Sequence, residues 1–546
     1  MEDFDFSVTR RGAFSILMGI GGTGGAALAA DWHMPFSKIS VAAQANDTPA
    51  TATTSERAMQ AAIDSGDQTV RNLSELSGLD PKPGRSVYVS DDSNGGFFSY
   101  RTGDRSASIA GDPAGGLFRA PNADPAGRSG AWVRRYTSGR VSPHFFGDSS
   151  TGTGEGDDIL ALERAAKAAV EYEEILDLGH AYGRHKYGVS RTLEIPGIIA
   201  VEGAGFGCEI SALKGFPESY AFSGVSGTEF AASVSRYTIP APVVLMQSAG
   251  RNKQGRGGGR FRINGNGFAP VGLVVLGSAA DGYSLIRIEY TKKFGMVLVG
   301  CQNFSLGKIQ LYTTGEVGAV FLNGCYNGMI SGLDIRKNYK SNFLSKDDPA
   351  WPYFRYFNNI SGASECLFLK GIFEDNQGAR KENIVRFETG SRNVFLRTQL
   401  YGRANVGIFE SDKVTHNSYQ SCTLLNGGLG GKAAEFHSYN SEIIGGDISL
   451  WGQDSDETNP QNLIECFNTT LFDKVNFPKN NHFSKKLIAN LSQNPADARI
   501  VQFTPRFHCM NDAEFANFYA GKIDSIMSYF SLDSQRQITH DYRNAL

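Results

Sequence analysis

Asn303-FSLGKIQL is the stretch of sequence that decides the fold, because the same phrase returns along the second half of the chain. Each copy has an anchor residue, then about six residues that alternate apolar and polar, then a turn residue such as Gly or Asn. The other copies are Asn327-GMISGLDI, Glu365-CLFLKGIF, Asn393-VFLRTQLY, Asn417-SYQSCTLL, Asn440-SEIIGGDISL and Asn468-TTLFDKVNF. Their anchors lie 23 to 38 residues apart, so the phrase is constant while the padding between copies varies.

A constant phrase with variable padding predicts a β-solenoid, in which each coil contributes strands that stack on the next coil while the turns differ in length. Anchor Asn residues in successive coils can hydrogen-bond one another, and Asn tolerates the left-handed backbone of a tight corner. The alternative is a β-sandwich with irregular hairpins. We favour the solenoid, since the strands of a sandwich would not re-use one corner residue. The predicted fold class is therefore all-β.

Each coil also carries an earlier strand, and in most of these strands apolar residues alternate with Arg, Glu and His. This period of two is typical of a strand with one face inside. The predicted strands are 295–300, 318–324, 353–359, 383–390, 406–412 and 433–440. The interior is expected to hold Val, Leu, Ile, Phe and a few Cys, which leaves the outer face free to carry chemistry.

Composition and charge exclude several classes of protein. The 546 residues carry a formal net charge of −3, so no global field favours nucleic acid, and no nucleic-acid partner is predicted. The seven cysteines are scattered without a CxxC pair or metal-ligand spacing, and we interpret them as small buried apolar residues. No stretch after Ala30 is long and apolar enough to span a bilayer, so no membrane span is predicted in the mature chain.

The N-terminus has the layout of an export signal. Arg10-Arg11 precedes an uncharged stretch, Gly12–Ala30, and small-residue cleavage options follow at 27–29 and 43–45. The arginine pair resembles a twin-arginine signal, although Phe14 stands one place later than that consensus expects. The alternative is an unfolded cytoplasmic tail. We predict that residues 1–45 are an export signal and that the mature protein is periplasmic or extracellular.

Residues 85–211 resemble the front end of pectate-lyase-like right-handed β-helices, above all the depolymerase tailspikes of bacteriophages. The matching stretches are SVYVSDDSNGGFFSY (86–100), GAWVRR (130–135), FFG (145–147), GEGDDILALERAAKAAV (154–170) and LEIPGIIAVEGAGFG (193–207). Beyond them the resemblance continues to about residue 480 as coil rhythm. It implies a right-handed parallel β-helix with an N-terminal capping helix. It is much less specific for activity, because such scaffolds host lyases, hydrolases and binding proteins.

In that family an acidic pair opens a helix that covers the start of the solenoid. Here Asp157 and Asp158 stand where a helix N-terminus favours carboxylates. Apolar residues then recur at helical spacing as far as residue 170, which gives a stripe to cover the first coil. The predicted domains are an export signal (1–45), a linker with a short helix around 55–76 (46–84), a small β-module (85–150), the β-helix (151–480) and a C-terminal extension (481–546).

The second strand of each coil brings polar side chains to nearly the same lane. These residues are Gln310, Asp334, Glu374 or Asp375, Gln399 and Asp447. Because adjacent coils stack at roughly 4.8 Å, Asp334 and Glu374 or Asp375 are expected about one rung apart. Two carboxylates at that spacing would separate their pKa values into one acid and one base or nucleophile, as a glycosidase pair requires. The alternative is that these acids merely solvate the edge of the solenoid.

The longest gap between anchors holds an insertion, 337–360, whereas the other gaps are 23 to 28 residues. Long loops on a rigid scaffold are where binding residues concentrate. Aromatic rings beside carboxylates suit carbohydrate, because a ring covers the apolar face of a sugar and the acids accept hydroxyl hydrogen bonds. The candidate substrate-binding residues are Asp347, Asp348, Trp351, Tyr353 and Arg355. The alternative is that the insertion folds back over the solenoid flank.

A lyase would need a base, and also a cation that holds the carboxylate of its substrate. Arg336 and Arg397 fall on the side of the candidate acids and are the predicted catalytic cations; Arg403 lies on the same side. The cationic, glycine-rich segment 251–263 is interpreted as a solvated loop. The metal-binding Asp residues of the resembled family have no counterpart at matching positions, so neither a metal nor a cofactor is predicted.

The leading hypothesis is an exported polysaccharide-degrading enzyme, a lyase or glycoside hydrolase acting on a bacterial exopolysaccharide or capsule. The second is a non-catalytic carbohydrate-binding or surface-assembly β-helix. The third is a phage spike domain that binds a host glycan as a homotrimer, against which the N-terminal signal argues. All three have a polysaccharide as partner.

Overall fold

The computed structural model describes residues 68–506 with gaps, the longest at 222–237, 248–256, 346–361, 450–461, 477–487 and 492–502, and two further strands, Ile526–Ser531 and Arg536–Asp541. All described residues belong to one unit of the chain, Thr54–Leu546. The predicted export signal, 1–45, lies outside them. Within the described part, no helix has the length and apolar character needed to cross a membrane.

The N-terminal part is a five-stranded sheet with its own small core. Its strands, in spatial order, are Gln68–Val70, Ser86–Val89, Gly96–Thr102, Gly130–Arg134 and Phe118–Arg119. The first pair is parallel and the other pairs are antiparallel. Trp132 and Phe98 are fully buried in this core. Two short helices, Leu73–Gly78 and Ser106–Gly111, complete it.

Of the short helix predicted around 55–76, the described residues confirm only the last part, from Leu73. Gln68–Val70 is instead a strand paired with Ser86–Val89, and the helix runs over Leu73–Gly78. It begins there because Asn72 caps it: the Asn72 Oδ1 accepts the Glu75 N–H at 2.9 Å. Residues 55–67 lie outside the described part of the chain.

From Ile175 onward the chain winds as a right-handed parallel β-helix, which confirms the predicted fold class. Each coil contributes to three columns of parallel strands, numbered here from the anchor phrase. Column 1 holds Ile175–Asp177, Val201–Glu202, Ser305–Leu306, Met329–Ser331, Leu367–Leu369, Val394–Leu396, Ser418–Gln420, Ser441–Ile444 and Thr470–Asn476. Column 2 holds Lys186–Val189, Glu209–Ala212, Ile309–Thr314, Leu333–Arg336, Ile372–Glu374, Gln399–Tyr401, Thr423–Leu425 and Asp447–Ser449. Three longer strands, Gly258–Asn264, Tyr283–Thr291 and Thr470–Asn476, pair with both columns.

Column 3 is a separate eleven-stranded sheet. Its strands are Leu193–Pro196, Pro242–Gln247, Val271–Leu276, Phe294–Val299, Val317–Leu322, Ser341–Ser345, Lys381–Phe387, Ala404–Glu410, Lys432–Phe436, Ile464–Cys466 and Ile488–Asn490. Column 1 continues through Phe503–Arg506 to Ile526–Ser531, which forms an antiparallel hairpin with Arg536–Asp541. The remaining short elements are Arg140–Val141, the 3-10 helix Pro143–Phe146, Ser219–Ala221, Thr238–Pro240, Gly390–Ser391 and Val414–Thr415.

A helix covers the N-terminal end of the β-helix, as predicted, at Ile159–Glu171. Its apolar stripe is buried in the same core as the first coils. The acidic pair before it acts mainly through contacts with the first coil. The Asp158 Oδ2 accepts the Gly188 N–H at 2.9 Å, and Asp157 accepts the Ser190 hydroxyl at 2.6 Å. The pair therefore ties the start of the helix to the solenoid that it covers.

The anchor phrase marks two neighbouring positions rather than one. A left-handed residue with φ between 52° and 58° forms the corner before the column 1 strand, at Asn303, Asn327, Glu365, Arg392, His416 and Asn440. Asn327 donates to Asn303 from coil to coil, which confirms the predicted stacking there. Asn393 and Asn417 stand one residue later and are fully buried, with Asn393 Nδ2 donating to Asn417 Oδ1 at 3.0 Å. The alignment on a single anchor is therefore wrong by one residue in these two coils.

The coil with the insertion takes its column 3 strand from Ser341–Ser345, which pairs with Val317–Leu322 and with Lys381–Phe387. The strand predicted at 353–359 lies outside the described residues, and Ser341–Ser345 occupies this place in the column. The other five predicted column 3 strands are confirmed with shifted ends. The extra residues of the insertion consequently follow this strand in the chain and precede the corner at Glu365.

The interior is filled by side chains that stack in register. Phe368, Phe395 and Tyr419 occupy one position in three successive coils, with ring centroids 4.5 Å and 5.2 Å apart and interplanar angles of 16° and 15°. The cysteines at 208, 301, 325, 366, 422 and 466 are buried, as interpreted from the sequence. Cys509 lies outside the described residues.

One carboxylate is enclosed in this interior. Glu410 ends the column 3 strand Ala404–Glu410 and has no exposed surface. Its Oε1 accepts from Asn417 Nδ2 and from the Tyr419 hydroxyl, both at 2.8 Å. Its Oε2 accepts from the hydroxyls of Ser438 at 2.5 Å and Ser441 at 2.6 Å. Burial, together with the Glu410 charge, raises the pKa of Tyr419 well above its ordinary value.

We expect Glu410→Ala to lower the free energy of unfolding by about 3 kcal/mol or more, because several buried donors lose their acceptor together. The matched control is Glu388→Ala. Glu388 accepts from Arg386 Nε at 2.6 Å on the outside of the β-helix, so this change should cost at most about 1 kcal/mol. Urea unfolding followed by circular dichroism compares the two variants. Equal losses would contradict the stabilising role of the interior carboxylate.

Candidate functional site

Column 2 carries a polar–apolar–polar triplet in five successive coils, and the sixth coil keeps only its last polar residue. The triplets are Glu209-Ile-Ser211, Arg262-Ile-Asn264, Arg287-Ile-Glu289, Gln310-Leu-Tyr312, Asp334-Ile-Arg336 and Ile372-Phe-Glu374, where Ile372 breaks the pattern. Each central residue is fully buried in the interior, so its two neighbours face outward. The triplets pair residue for residue from coil to coil. Their outer residues therefore form two adjacent rows, which we call the charged strip.

The N-terminal half of the charged strip is an alternating chain of ion pairs. Arg262 pairs with Glu209, and its Nη1 lies 3.0 Å from Glu289 Oε1. Arg287 Nε lies 2.7 Å from the other Glu289 oxygen, Oε2. Asn264 Nδ2 donates to Glu209 Oε1 at 3.0 Å. The pairing of neighbouring strands places Arg262 one coil from both Glu209 and Glu289, which limits the entropy lost in forming these two pairs.

The C-terminal half centres on Asp334. Arg336 Nε donates to Asp334 Oδ1 at 2.6 Å, and the Tyr312 hydroxyl donates to Asp334 Oδ2 at 2.6 Å. The same guanidinium reaches the next coil, where Nη1 lies 3.0 Å from Glu374 Oε2. Gln310 Nε2 donates to the Tyr312 hydroxyl at 3.0 Å. Arg336 therefore spans two carboxylates, and Tyr312 donates to one of them.

Charge and burial shift the proton equilibria of this half. Burial and the hydrogen bond to Asp334 raise the pKa of Tyr312 to about 12, although Arg336 and Arg287 act in the opposite direction. The hydrogen bond to Asp334 likewise raises the pKa of Arg336. The Arg287 guanidinium lies 4.8 Å from the centre of the Tyr312 ring, within cation–π range. At neutral pH the phenol is protonated and is a hydrogen-bond donor.

The structure brings together part of the predicted acid lane. Gln310 and Asp334 are paired in one row, as predicted. Glu374 belongs to the second row, opposite Arg336, and Ile372 stands in the place expected for it beside Asp334. Two residues along a strand keep the same face, so Asp334 and Glu374 still meet through Arg336. Asp375 lies outside the described residues.

Of the other predicted site residues, the structure describes Arg397 alone. Arg397 is exposed and sits at a left-handed corner, with φ of 55°, between its column 1 and column 2 strands. Residues outside the described part of the chain are Asp347, Asp348, Trp351, Tyr353, Arg355 and Arg403. The segment interpreted as a solvated loop, 251–263, contains strand from Gly258 onward, and its Arg262 is a member of the charged strip.

Sequence reasoning missed Tyr312, Arg287, Glu289 and Glu209. The signal that would have found them is the triplet itself, which recurs once per coil from residue 209 onward. It begins before the first Asn anchor at 303, so an alignment on Asn does not reach it. Among the described residues, no three His, Cys, Asp or Glu side chains are grouped as the ligands of a metal would be.

Tailspikes of bacteriophages are among the solved structures with this architecture. The gp42 tailspike of Acinetobacter phage vb_AbaP_AS12 is 10% identical, with a TM-score of 0.51, over 87% of this chain and 76% of that chain. The fold is a tailspike-like β-helix. The enzymatically active domain of bacteriophage CBA120 tailspike protein 2 is 11% identical, with a TM-score of 0.47, over 82% of this chain. This chain spans 56% of the length of that protein.

A third tailspike, gp49 of Acinetobacter baumannii bacteriophage Fri1, is described as a capsular polysaccharide depolymerase. It is 8% identical, with a TM-score of 0.43, over 87% of this chain and 81% of that chain. No protein-family model matches the sequence, and no curated protein matches it. At these identities the likeness establishes the fold alone.

We expect an ultraviolet difference titration, wild type minus Tyr312→Phe, to show a phenol that ionises near pH 12, as the raised pKa of Tyr312 requires. Asp334→Asn should move this ionisation toward lower pH, because it removes the nearby negative charge. Because the pKa of Tyr312 is higher in the folded protein, its contribution to the free energy of unfolding is fully present below the ordinary pKa of about 10. This contribution is lost as the pH rises through about 12. An ionisation near pH 10 that Asp334→Asn leaves unchanged would contradict the geometry.

Proposed function

We propose that the protein is an exported polysaccharide-degrading enzyme, a lyase or a glycoside hydrolase, that acts on a bacterial exopolysaccharide or capsule. The active site is the charged strip at Asp334, Arg336, Glu374 and Tyr312. The observation that carries the proposal is that one guanidinium spans two carboxylates while a protonated phenol donates to one of them. The long, rigid outer face of a β-helix suits a polymeric substrate, and the tailspike-like fold supports the proposal by analogy.

Hydrolysis would use the two carboxylates. Since one guanidinium contacts both, their oxygens lie no farther apart than the roughly 9.5 Å that an inverting glycosidase uses. Both Asp334 and Glu374 accept from Arg336 in this arrangement, so neither is placed as a proton donor. A hydrolase would therefore need substrate to displace Arg336 from one acid, which then takes up the proton for the leaving oxygen.

Elimination would use the same groups in other roles, and it too requires substrate to displace some of the contacts among them. A lyase needs a base for the proton beside a uronate carboxylate, a cation on that carboxylate and a proton for the leaving oxygen. In this scheme Asp334 would act as the base and the Tyr312 phenol as the proton donor, with Arg336 beside both. The predicted aromatic platform, Trp351 or Tyr353, would hold a neighbouring sugar ring in this scheme.

The alternative function is a non-catalytic carbohydrate-binding or surface-assembly β-helix, in which the charged strip only binds the polymer. Assembly as a homotrimer is compatible with either function. The reaction products distinguish the enzyme from the binding protein. Hydrolysis and elimination both create new reducing ends, and elimination alone creates an unsaturated sugar that absorbs ultraviolet light. A binding protein that retains polysaccharide would release neither.

We expect Asp334→Asn and Glu374→Gln each to lower turnover at least tenfold on the polysaccharide that a panel of bacterial capsules and exopolysaccharides identifies, a barrier increase of about 1.4 kcal/mol. The matched control is Glu388→Gln, which removes an acid that pairs with Arg386 as Asp334 pairs with Arg336, but at the end of a column 3 strand. It should leave turnover unchanged. Turnover within about threefold of wild type in both strip variants would place the chemistry elsewhere.

We also propose that the first 30 to 45 residues are removed on export, through the twin-arginine-like signal at Arg10-Arg11. Mass spectrometry of the protein purified from its native cells should then find a new N-terminus near residue 30 or 45. Arg10→Lys with Arg11→Lys should retain the precursor inside the cell, because such signals are read by their receptor through the arginine pair. An intact Met1 or Glu2 on the native protein would rule export out.

A further inference from the structure

The charged strip has a buried layer and an outer layer of opposite charge. The side chains of Glu209, Glu289 and Asp334 are 4%, 5% and 10% exposed. The side chains of Arg262, Arg287 and Arg336 are 23%, 32% and 35% exposed. A polymer lying along the strip therefore meets guanidinium groups first, and the carboxylates lie beneath them.

The three arginines differ in how many of their guanidinium nitrogens are still available to bind a ligand. Arg262 and Arg336 each use their terminal nitrogens on carboxylates of the protein. Arg287 pairs with Glu289 through Nε, and in the part of the chain that the structure describes its two Nη groups make no ion pair or hydrogen bond. They carry the donors that bind a carboxylate in bidentate fashion.

Arg287 is also held in place before any ligand arrives. Its guanidinium lies 4.8 Å from the centre of the Tyr312 ring and 5.9 Å from that of the Phe206 ring. With Nε paired to the buried Glu289, the side chain has little rotational freedom left to lose on binding. A partly desolvated, pre-oriented fork of this kind favours a planar anion over a neutral hydroxyl group.

We propose that the substrate is an acidic polysaccharide and that Arg287 binds the carboxylate of one of its sugars. This inference rests on the proposed function for the site, and it adds the substrate class and a specificity-determining residue. Arg287 and Asp334 stand in the same row two coils apart, roughly 10 Å at the usual strand spacing. The bound carboxylate is thus next to Tyr312 and close to the proposed reacting groups.

The test measures retention of the full-length protein in affinity electrophoresis on polygalacturonate, alginate and hyaluronan. Each polymer is compared with the same polymer after chemical reduction of its carboxylates to alcohols. The variants are Arg287→Met, which keeps the apolar stem, and Arg287→Lys, which keeps a charge near Glu289. The matched control is Arg392→Met, since Arg392 is an exposed arginine paired with Glu365 outside the strip.

We expect at least one acidic polymer to retain the wild type, with apparent affinity at least tenfold lower after carboxyl reduction. Arg287→Met should lose as much, Arg287→Lys should be intermediate, and Arg392→Met should match the wild type. Retention by none of the acidic polymers, equal retention by the reduced polymer, or wild-type affinity in both Arg287 variants would overturn the inference. Retention that depends on Arg287 but is not accompanied by cleavage would support the inference about Arg287 and contradict the proposed enzymatic activity. Cleavage of a neutral polymer would support the enzymatic activity and contradict the inference about Arg287.

Discussion

In-register stacking of successive coils is the constraint on which the rest of this structure depends. Parallel pairing sets each residue above its counterpart in the preceding coil, at roughly 4.8 Å. Inside, this produces the stack of Phe368, Phe395 and Tyr419. On the outer face, the same pairing aligns charged side chains in a row wherever the triplets of neighbouring coils carry charged residues. The charged strip is stable because adjacent arginines such as Arg262 and Arg287 share the buried Glu289.

The fold was predictable because its signals are repeated. A period of two in one coil is weak, but the same period with the same corner in six or more coils is specific for a solenoid. The one-residue errors in the anchor alignment arose because asparagine occupies two different positions in the coils. At Asn327 it adopts the left-handed corner, whereas at Asn393 it is an interior side chain that follows the corner residue Arg392. Both uses look alike in the sequence, and they differ by one residue.

The candidate site was predictable only in part for the same reason. Asp334 and Arg336 were found because they follow a clear anchor, but Glu374 was placed in the wrong row, and an error of one or two residues decides which groups touch. Arg287 and Glu289 precede every Asn anchor, so an alignment on Asn does not reach the triplet to which they belong. Glu410 shows a further limit: alternation places it with the buried Ile408, yet a charged residue is ordinarily assigned to the surface.

The enclosed Glu410 has a consequence for how such a chain can change its length in evolution. Solenoids grow and shrink by duplication or loss of whole coils. An apolar interior tolerates such changes, because one layer of apolar side chains packs in the place of another. Here the donors to the Glu410 carboxylate lie around two successive column 1 strands, Asn417 and Tyr419 at one and Ser438 and Ser441 at the next. Recombination between residues 404 and 444 would leave the Glu410 carboxylate buried without its hydrogen-bond donors. Viable insertions and deletions of whole coils are therefore confined to the parts of the β-helix before and after this segment.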